Sequence, residues 1–241
     1  MEYVRLDNLG YQVSGRKILQ DINVAFAKNK VTTIIGKSGA GKSTLIRLIN
    51  GLLIPTEGEV RINNMTLSSA NARSLRKEIG YTVQGVGLFP HLTIKENILL
   101  PGQVFGNSPP THERFSEVVH LVNLPQHTFE KYPHQLSGGE QQRAGIARAL
   151  FLDPPLLLMD EPFGSLDPVT RVKILDEFIQ LQRHAPRTVL LVTHDLREAQ
   201  KLADDVLVID QGRVEQFAPA REIFGHPATN VVNELLNAAG L

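Results

Sequence analysis

Residues 36–44 read Gly-Lys-Ser-Gly-Ala-Gly-Lys-Ser-Thr, a match to G-x-x-x-x-G-K-[ST]. The apolar run Val31–Ile35 precedes this stretch, and helical spacing of apolar residues follows over Lys42–Ile49. A buried strand that passes through a glycine-rich turn into a helix predicts a sheet wound with helices, so the fold class is α/β. The chemistry requires these residue types. Gly36, Gly39 and Gly41 permit a turn whose backbone N–H groups can face phosphate oxygens, and the helix N-terminus adds partial positive charge. The candidate phosphate site is therefore Gly36, Lys37, Ser38, Gly39, Ala40, Gly41, Lys42, Ser43 and Thr44. Lys42 would reach the β- and γ-phosphates, and the Ser43 hydroxyl would ligate Mg²⁺.

The remaining pattern agrees with this class. The first thirty residues alternate in the manner of strands, with turn residues at Ser14-Gly15 and Lys28-Asn29-Lys30, and predict an antiparallel N-terminal sheet. Strands are expected at Gly58–Asn63, Ile79–Val83, Leu156–Met159, Thr188–Val192 and Val206–Ile209. Helices are expected at Pro168–His184 and Leu196–Leu202. The stretch His91–Leu152 reads as helical, interrupted at Pro101–Pro110 by proline and glycine. It looks like an insertion into a core spanning about 1–90 and 153–218. A tail, about 219–241, holds two short amphipathic helices near Ala220–Phe224 and Thr229–Asn237. One domain is expected over residues 1–241.

Lys and Arg number 25, as do Asp and Glu, so formal net charge is zero and the basic excess of a nucleic-acid binder is missing. There is no cysteine, which rules out disulfides and thiolate metal sites. No apolar run approaches the ~18 residues of a membrane helix, and the N-terminus does not read as a signal peptide. Work at a membrane would require a partner that supplies the spanning part.

Two further motifs carry chemistry. Leu156–Met159 runs into Asp160-Glu161, an apolar strand ending in adjacent carboxylates. Strand alternation predicts that they point in different directions. Asp160 is then the candidate for the magnesium shell and Glu161 the candidate general base. Residues 136–143 read Leu-Ser-Gly-Gly-Glu-Gln-Gln-Arg. Ser137 fits a helix cap, with the two glycines allowing close packing of the first turn. Capping alone does not call for the rest of the octet.

With these motifs the chain, from about Tyr3 to Gln216, resembles the ATP-binding subunits of ABC transporters. The resemblance implies a P-loop NTPase (RecA-like) core with a mostly parallel sheet, an antiparallel β subdomain and an inserted α-helical subdomain. It implies that ATP and Mg²⁺ are bound and ATP is hydrolysed. Tyr11 stands where the family stacks an aromatic on adenine. Gln84, after Tyr81-Thr82-Val83, matches the glutamine that looks to magnesium and the attacking water, in a loop that faces the membrane partner. Ser165-Leu166-Asp167 matches the D-loop, and His194 the histidine that contacts the γ-phosphate. Two subunits would pack head to tail, so that Ser137 and Gly139 of one meet the phosphate held by the other. Gly138, Gln141 and Asp167 count with these nucleotide contacts.

The wording Gly87–Ile98, Glu198–Asp204 and Arg221–Phe224 is similar to prokaryotic importers, nearest to the osmoprotectant group of glycine betaine, choline and proline systems. Polar amino acid importers are the nearest competitor. Gly85 departs from the second glutamine often found in the osmoprotectant group. The resemblance implies transmembrane permease subunits docking near the Gln84 loop, an extracytoplasmic solute-binding protein, no nucleic acid, and a place on the inner face of the cell membrane. An exporter-type subunit is an alternative. A soluble ATPase of DNA repair would need long coiled coils between Gln84 and Leu136, where no heptads occur. A translation-type protein would carry two such domains.

Overall fold

The structure, a computed structural model, describes residues 1–85, 87–105, 112–164 and 166–240. Ser165 and the later part of the expected Pro101–Pro110 interruption lie outside the described residues. In chain order the elements are β1 (Glu2–Val13), β2 (Arg16–Ala27), β3 (Val31–Ile35), α1 (Lys42–Ile49), β4 (Glu57–Ile62), β5 (Met65–Thr66), α2 (Ala72–Leu75) and β6 (Ile79–Thr82). Then follow α3 (Ile94–Phe105), α4 (His112–Leu121), α5 (Gly138–Leu150), β7 (Leu156–Asp160), α6 (Pro168–His184), β8 (Thr188–Val192) and α7 (Leu196–Leu202). The chain ends with β9 (Asp205–Asp210), β10 (Arg213–Pro219), α8 (Ala220–Gly225) and α9 (Asn230–Ala238). They form two compact units, Met1–Arg76 with Arg187–Leu241, and Lys77–Pro186.

The first unit contains the antiparallel sheet β2-β1-β4-β5 and the strands β10-β9-β3-β8. β3 pairs in parallel with β8 (Val31↔Val189) and β9 (Thr32↔Asp205). Every residue of these three strands is buried, as expected for strands covered on both faces. Three hairpins turn through pairs of residues at positive φ: Ser14-Gly15, Asn63-Asn64 and Gln211-Gly212. This is the backbone of a type I′ turn, whose twist matches that of the flanking strands.

The third hairpin creates β10, an antiparallel partner for β9 that was not anticipated from sequence. The tail is also more than an appendage. Ile223 of α8 and Val232 and Leu236 of α9 lie in one buried cluster with Ile35, Val206 and Val208.

In the second unit β6 pairs in parallel with β7 (Ile79↔Leu156). Around them pack α3, α4, α5 and α6, with α5 against each of the others and against β6. The expected break at Pro101 does not occur, because α3 continues through it to Phe105. A proline inside a helix removes one N–H bond and crowds the carbonyl four residues back. That carbonyl belongs to Asn97, a fully buried residue whose side-chain amide donates to the Thr93, Leu92 and Phe89 carbonyls at 2.9, 3.1 and 3.1 Å. These bonds tie the first turn of α3 to the segment before it, and α3 packs on α5.

Candidate functional site

In the first unit the glycine loop leaves β3 at Ile35. Gly36 has φ 148°, and a Cβ there would sit 2.0 Å from the Ile209 carbonyl oxygen, so only glycine fits. Gly41, at φ 103°, is the residue before α1, and a Cβ would meet Leu19 Cδ2 at 2.7 Å. The Gly212 N–H donates to the Ala40 carbonyl at 3.1 Å, so the β9–β10 hairpin holds the loop from outside. Lys42 is buried at the loop's centre, and its Nζ donates to the Gly36 and Lys37 carbonyls, each at 2.9 Å. Lys37, Ser38 and Gly39 are exposed, and no acidic residue stands in the first turn of α1. The arrangement offers converging positive potential to an anion.

Tyr11 lies on β1, half-buried, opposite Leu19 at an irregularity in the β1–β2 register. Leu19 is also the residue whose side chain a Cβ on Gly41 would meet. His194 is exposed, two residues beyond the end of β8. Thr193 N–H donates to the Ile34 carbonyl at 3.3 Å, so the His194 segment is tied to the strand that feeds the loop.

The second unit holds the acidic groups. Asp160, the last residue of β7, is 1% exposed. Glu161 does not continue the strand, having turned to φ 48°. Its backbone is thus in a left-handed turn rather than in the pleat of β7. The carboxylate accepts from Gln84 Nε2 at 3.0 Å. Glutamine and glutamate, 77 positions apart, are thereby brought together at one point.

The loop after Gln84 is anchored by two residues that sequence reasoning passed over. Asn97 Oδ1 accepts from Phe89 N–H at 2.7 Å, and Arg148 Nη1 donates to the Gly87 carbonyl at 2.8 Å. The Arg148 guanidinium also stands 6.0 Å from the Phe89 ring centroid. Residue spacing gives no signal for either residue, since each bond joins a helix to the loop after Gln84.

The octet opens α5. Ser137 is its cap: Oγ accepts from Glu140 N–H at 3.3 Å, while Glu140 Oε2 accepts from Ser137 N–H and O–H at 2.9 and 2.8 Å. This is a capping box. Partial burial opposes ionisation of Glu140, but the hydrogen bonds from Ser137, with His127 and Lys131 nearby, outweigh it and hold the carboxyl below its usual range. A Cβ on Gly139 would approach Thr170 Cγ2 to 2.7 Å, so this glycine lets α5 and α6 pack closely. Gln141 Nε2 donates to the Leu136 carbonyl at 3.2 Å. Asp167 caps α6, accepting from Thr170 N–H at 3.0 Å, with Pro168 at the first helical position. Bonds from Thr170 hold the Asp167 carboxyl below its usual range.

The loop, Tyr11 and His194 thus belong to one unit, and Gln84, Asp160, Glu161, the octet and Asp167 to the other. Among the described residues no helix is long and apolar enough to cross a membrane.

The chain is similar to known proteins in both sequence and structure. The family model described as "ABC transporter" matches residues 19–164. The carnitine transport ATP-binding protein OpuCA of Listeria monocytogenes is 42% identical over 223 residues, covering 92% of this chain and 56% of that protein. The glycine betaine uptake system ATP-binding protein YehX of Escherichia coli is 40% identical over 227 residues, covering 94% and 74%. The chain spans just over half the length of the first of these relatives. Among solved structures, the dimeric ATP-binding cassette MJ0796 in a post-hydrolysis state bound to ADP and Pi superposes with a TM-score of 0.81 at 33% identity, covering 90% of this chain and 99% of that one. A family model matching residues 19–164 and identities of 40–42% over more than nine-tenths of the chain lead to one conclusion: the chain belongs to the ABC transporter family.

Proposed function

We propose that the chain is the ATP-hydrolysing subunit of an importer, organised as one nucleotide-binding domain with the core, helical insertion and tail set out above. The observation that carries the enzymatic part is the Gln84–Glu161 hydrogen bond beside buried Asp160. A carboxylate held at a strand end by an amide is placed to take a proton from water. The water oxygen then bonds to the γ-phosphorus as the bond to the bridging oxygen breaks, giving ADP, inorganic phosphate and one proton. Lys42 and the loop N–H groups bind the phosphates, Tyr11 stacks on the base, and His194 contacts the γ-phosphate. The oxygen donors Ser43, Asp160 and Gln84 suit Mg²⁺, which takes few protein ligands and completes its shell with phosphate and water. Among the described residues no three His, Cys, Asp or Glu cluster as a metal cage. When bound, the ion would neutralise charge on the phosphates.

The octet supports a site split between two copies. Ser137 is exposed at the positive end of α5, a 13-residue helix, and the MJ0796 cassette is described as a dimer. Ser137 and Gly139 would meet the γ-phosphate held by the partner, with Gly138, Gln141 and Asp167 among the nucleotide contacts. The relatives' names, carnitine and glycine betaine systems, favour a quaternary amine as the solute. A permease docked near the Gln84 loop, an extracytoplasmic binding protein and a position at the inner membrane face complete this reading. Mixing Lys42→Ala with Ser137→Arg tests the split site, because a mixed dimer regains one intact site. Each variant alone should be inactive, and the mixture should hydrolyse ATP. An inactive mixture that still dimerises would refute it.

A further inference from the structure

Glu198 is a carboxylate only 3% exposed, and the function proposed above makes no use of it. It is the third residue of α7, counted from the cap Asp195. A glutamate in that place ordinarily reaches back to the N–H of the cap residue. Here a hydroxyl is inserted between them. Thr193, 2% exposed, donates its Oγ1 proton to Glu198 Oε2 at 2.6 Å and accepts from the Asp195 N–H at 3.0 Å. Asp195 Oδ1 in turn accepts from Arg197 N–H at 2.9 Å. On the other side, Thr193 N–H is bonded to Ile34. Both neighbours of His194 are therefore tied down, one to β3 and one to α7, while His194 itself is exposed.

A threonine hydroxyl carries a single proton. With that proton committed to the Glu198 side chain, its lone pairs stay oriented toward the Asp195 N–H. Without Glu198 the hydroxyl can rotate, and the peptide that carries His194 loses its fixed acceptor. We infer that Thr193 and Glu198 act as one buried pair of positioning residues that sets where the His194 imidazole stands. The inference rests on the proposed role of His194 at the γ-phosphate. Their influence passes through His194, so it falls on turnover rather than on nucleotide affinity.

The test measures kcat and KM for ATP in the full chain, with thermal melting as a control. Thr193→Val, isosteric but without the hydroxyl, should lower kcat at least ~10-fold, since displacements near 1 Å at a reacting group cost up to ~100-fold. KM should stay within about threefold of wild type, because the phosphate loop is untouched. Thr193→Ser should restore most of the rate. Glu198→Ala should match Thr193→Val, and the double variant should be no slower than either, as for two groups acting as a unit. Turnover near wild type in Thr193→Val, a KM that rises as far as kcat falls, or additive losses in the double variant would overturn the inference. Should Thr193→Val not fold, the comparison of Glu198→Gln, which keeps an acceptor, with Glu198→Ala decides it: equal turnover in the two overturns it. Full turnover in His194→Ala would instead overturn the role of His194.

Discussion

Replacing Glu161 with glutamine should separate stability from activity, and the structure sets both magnitudes. Glu161 and glutamine are isosteric, and both bear the same strain at φ 48°. Gln84 Nε2 can still donate to the side-chain oxygen of the new amide, so the hydrogen bond at 3.0 Å survives. What changes is the charge of the acceptor. A bond to a charged group exceeds a neutral one by roughly 1 kcal/mol, and the exposed setting of this pair reduces the difference further. The unfolding free energy should move by less than about 1 kcal/mol. Turnover behaves otherwise, since an amide cannot take a proton. General-base catalysis contributes about 10²–10⁴-fold, or about 2.7–5.4 kcal/mol at ~1.36 kcal/mol per decade. With Lys42 and the octet intact, the variant should hold ATP and persist as a dimer. The assay is steady-state phosphate release, with urea unfolding and size-exclusion chromatography in ATP. Turnover within tenfold of wild type would refute the assignment of Glu161 as the base, as would a variant that stayed monomeric with ATP at saturation.

Two further outcomes follow from the geometry. Gly36→Ala places a methyl against the Ile209 carbonyl and should cost about 2–4 kcal/mol in strain and disturbed hydrogen bonding, whereas Gly39→Ala, with nothing within 4 Å, should cost only the ~1–2 kcal/mol of a left-handed backbone; denaturant unfolding compares them, and equal losses would show that packing at Ile209 is irrelevant. The folded Glu140 carboxyl titrates below its unfolded value, so its stabilisation is complete above the ordinary glutamate range near ~4.3 and is lost as pH falls through the depressed folded value. Glu140→Gln should therefore flatten the acid side of the stability–pH curve, measured by thermal melting; an unchanged acid slope would refute the assignment.

Much of this was legible because the decisive residues sit where elements begin or end. A strand followed by glycines and a helix, an apolar strand ended by carboxylates, and a serine three residues before a glutamate each announce both local structure and chemistry. Helix α6 and strand β8 fall where the apolar spacing places them. What escaped depends on distant partners. The Gln211-Gly212 turn was a readable hairpin signal, but β10 is only partly buried and has no strong alternation. Pro101 reads as a helix breaker, yet α3 runs through it and packs on α5, a partner far along the chain. The turn at Glu161 overrides the strand period, which ends at Asp160. The Thr193–Glu198 pair joins a strand end to a helix interior, which no periodicity reveals.

The buried cluster under α8 and α9 has a consequence of its own. Ile35, the last strand residue before the glycine loop, shares that cluster with Val232 and Leu236. Packing of the last two helices and packing at the start of the loop therefore draw on the same buried side chains. A ligand that binds the loop only in its packed state must, by mass action, also hold the last helices down. Reciprocally, anything that lifts those helices away weakens the loop's hold on an anion without touching any residue of the loop. If the loop binds phosphate, truncating α9 should therefore weaken that binding.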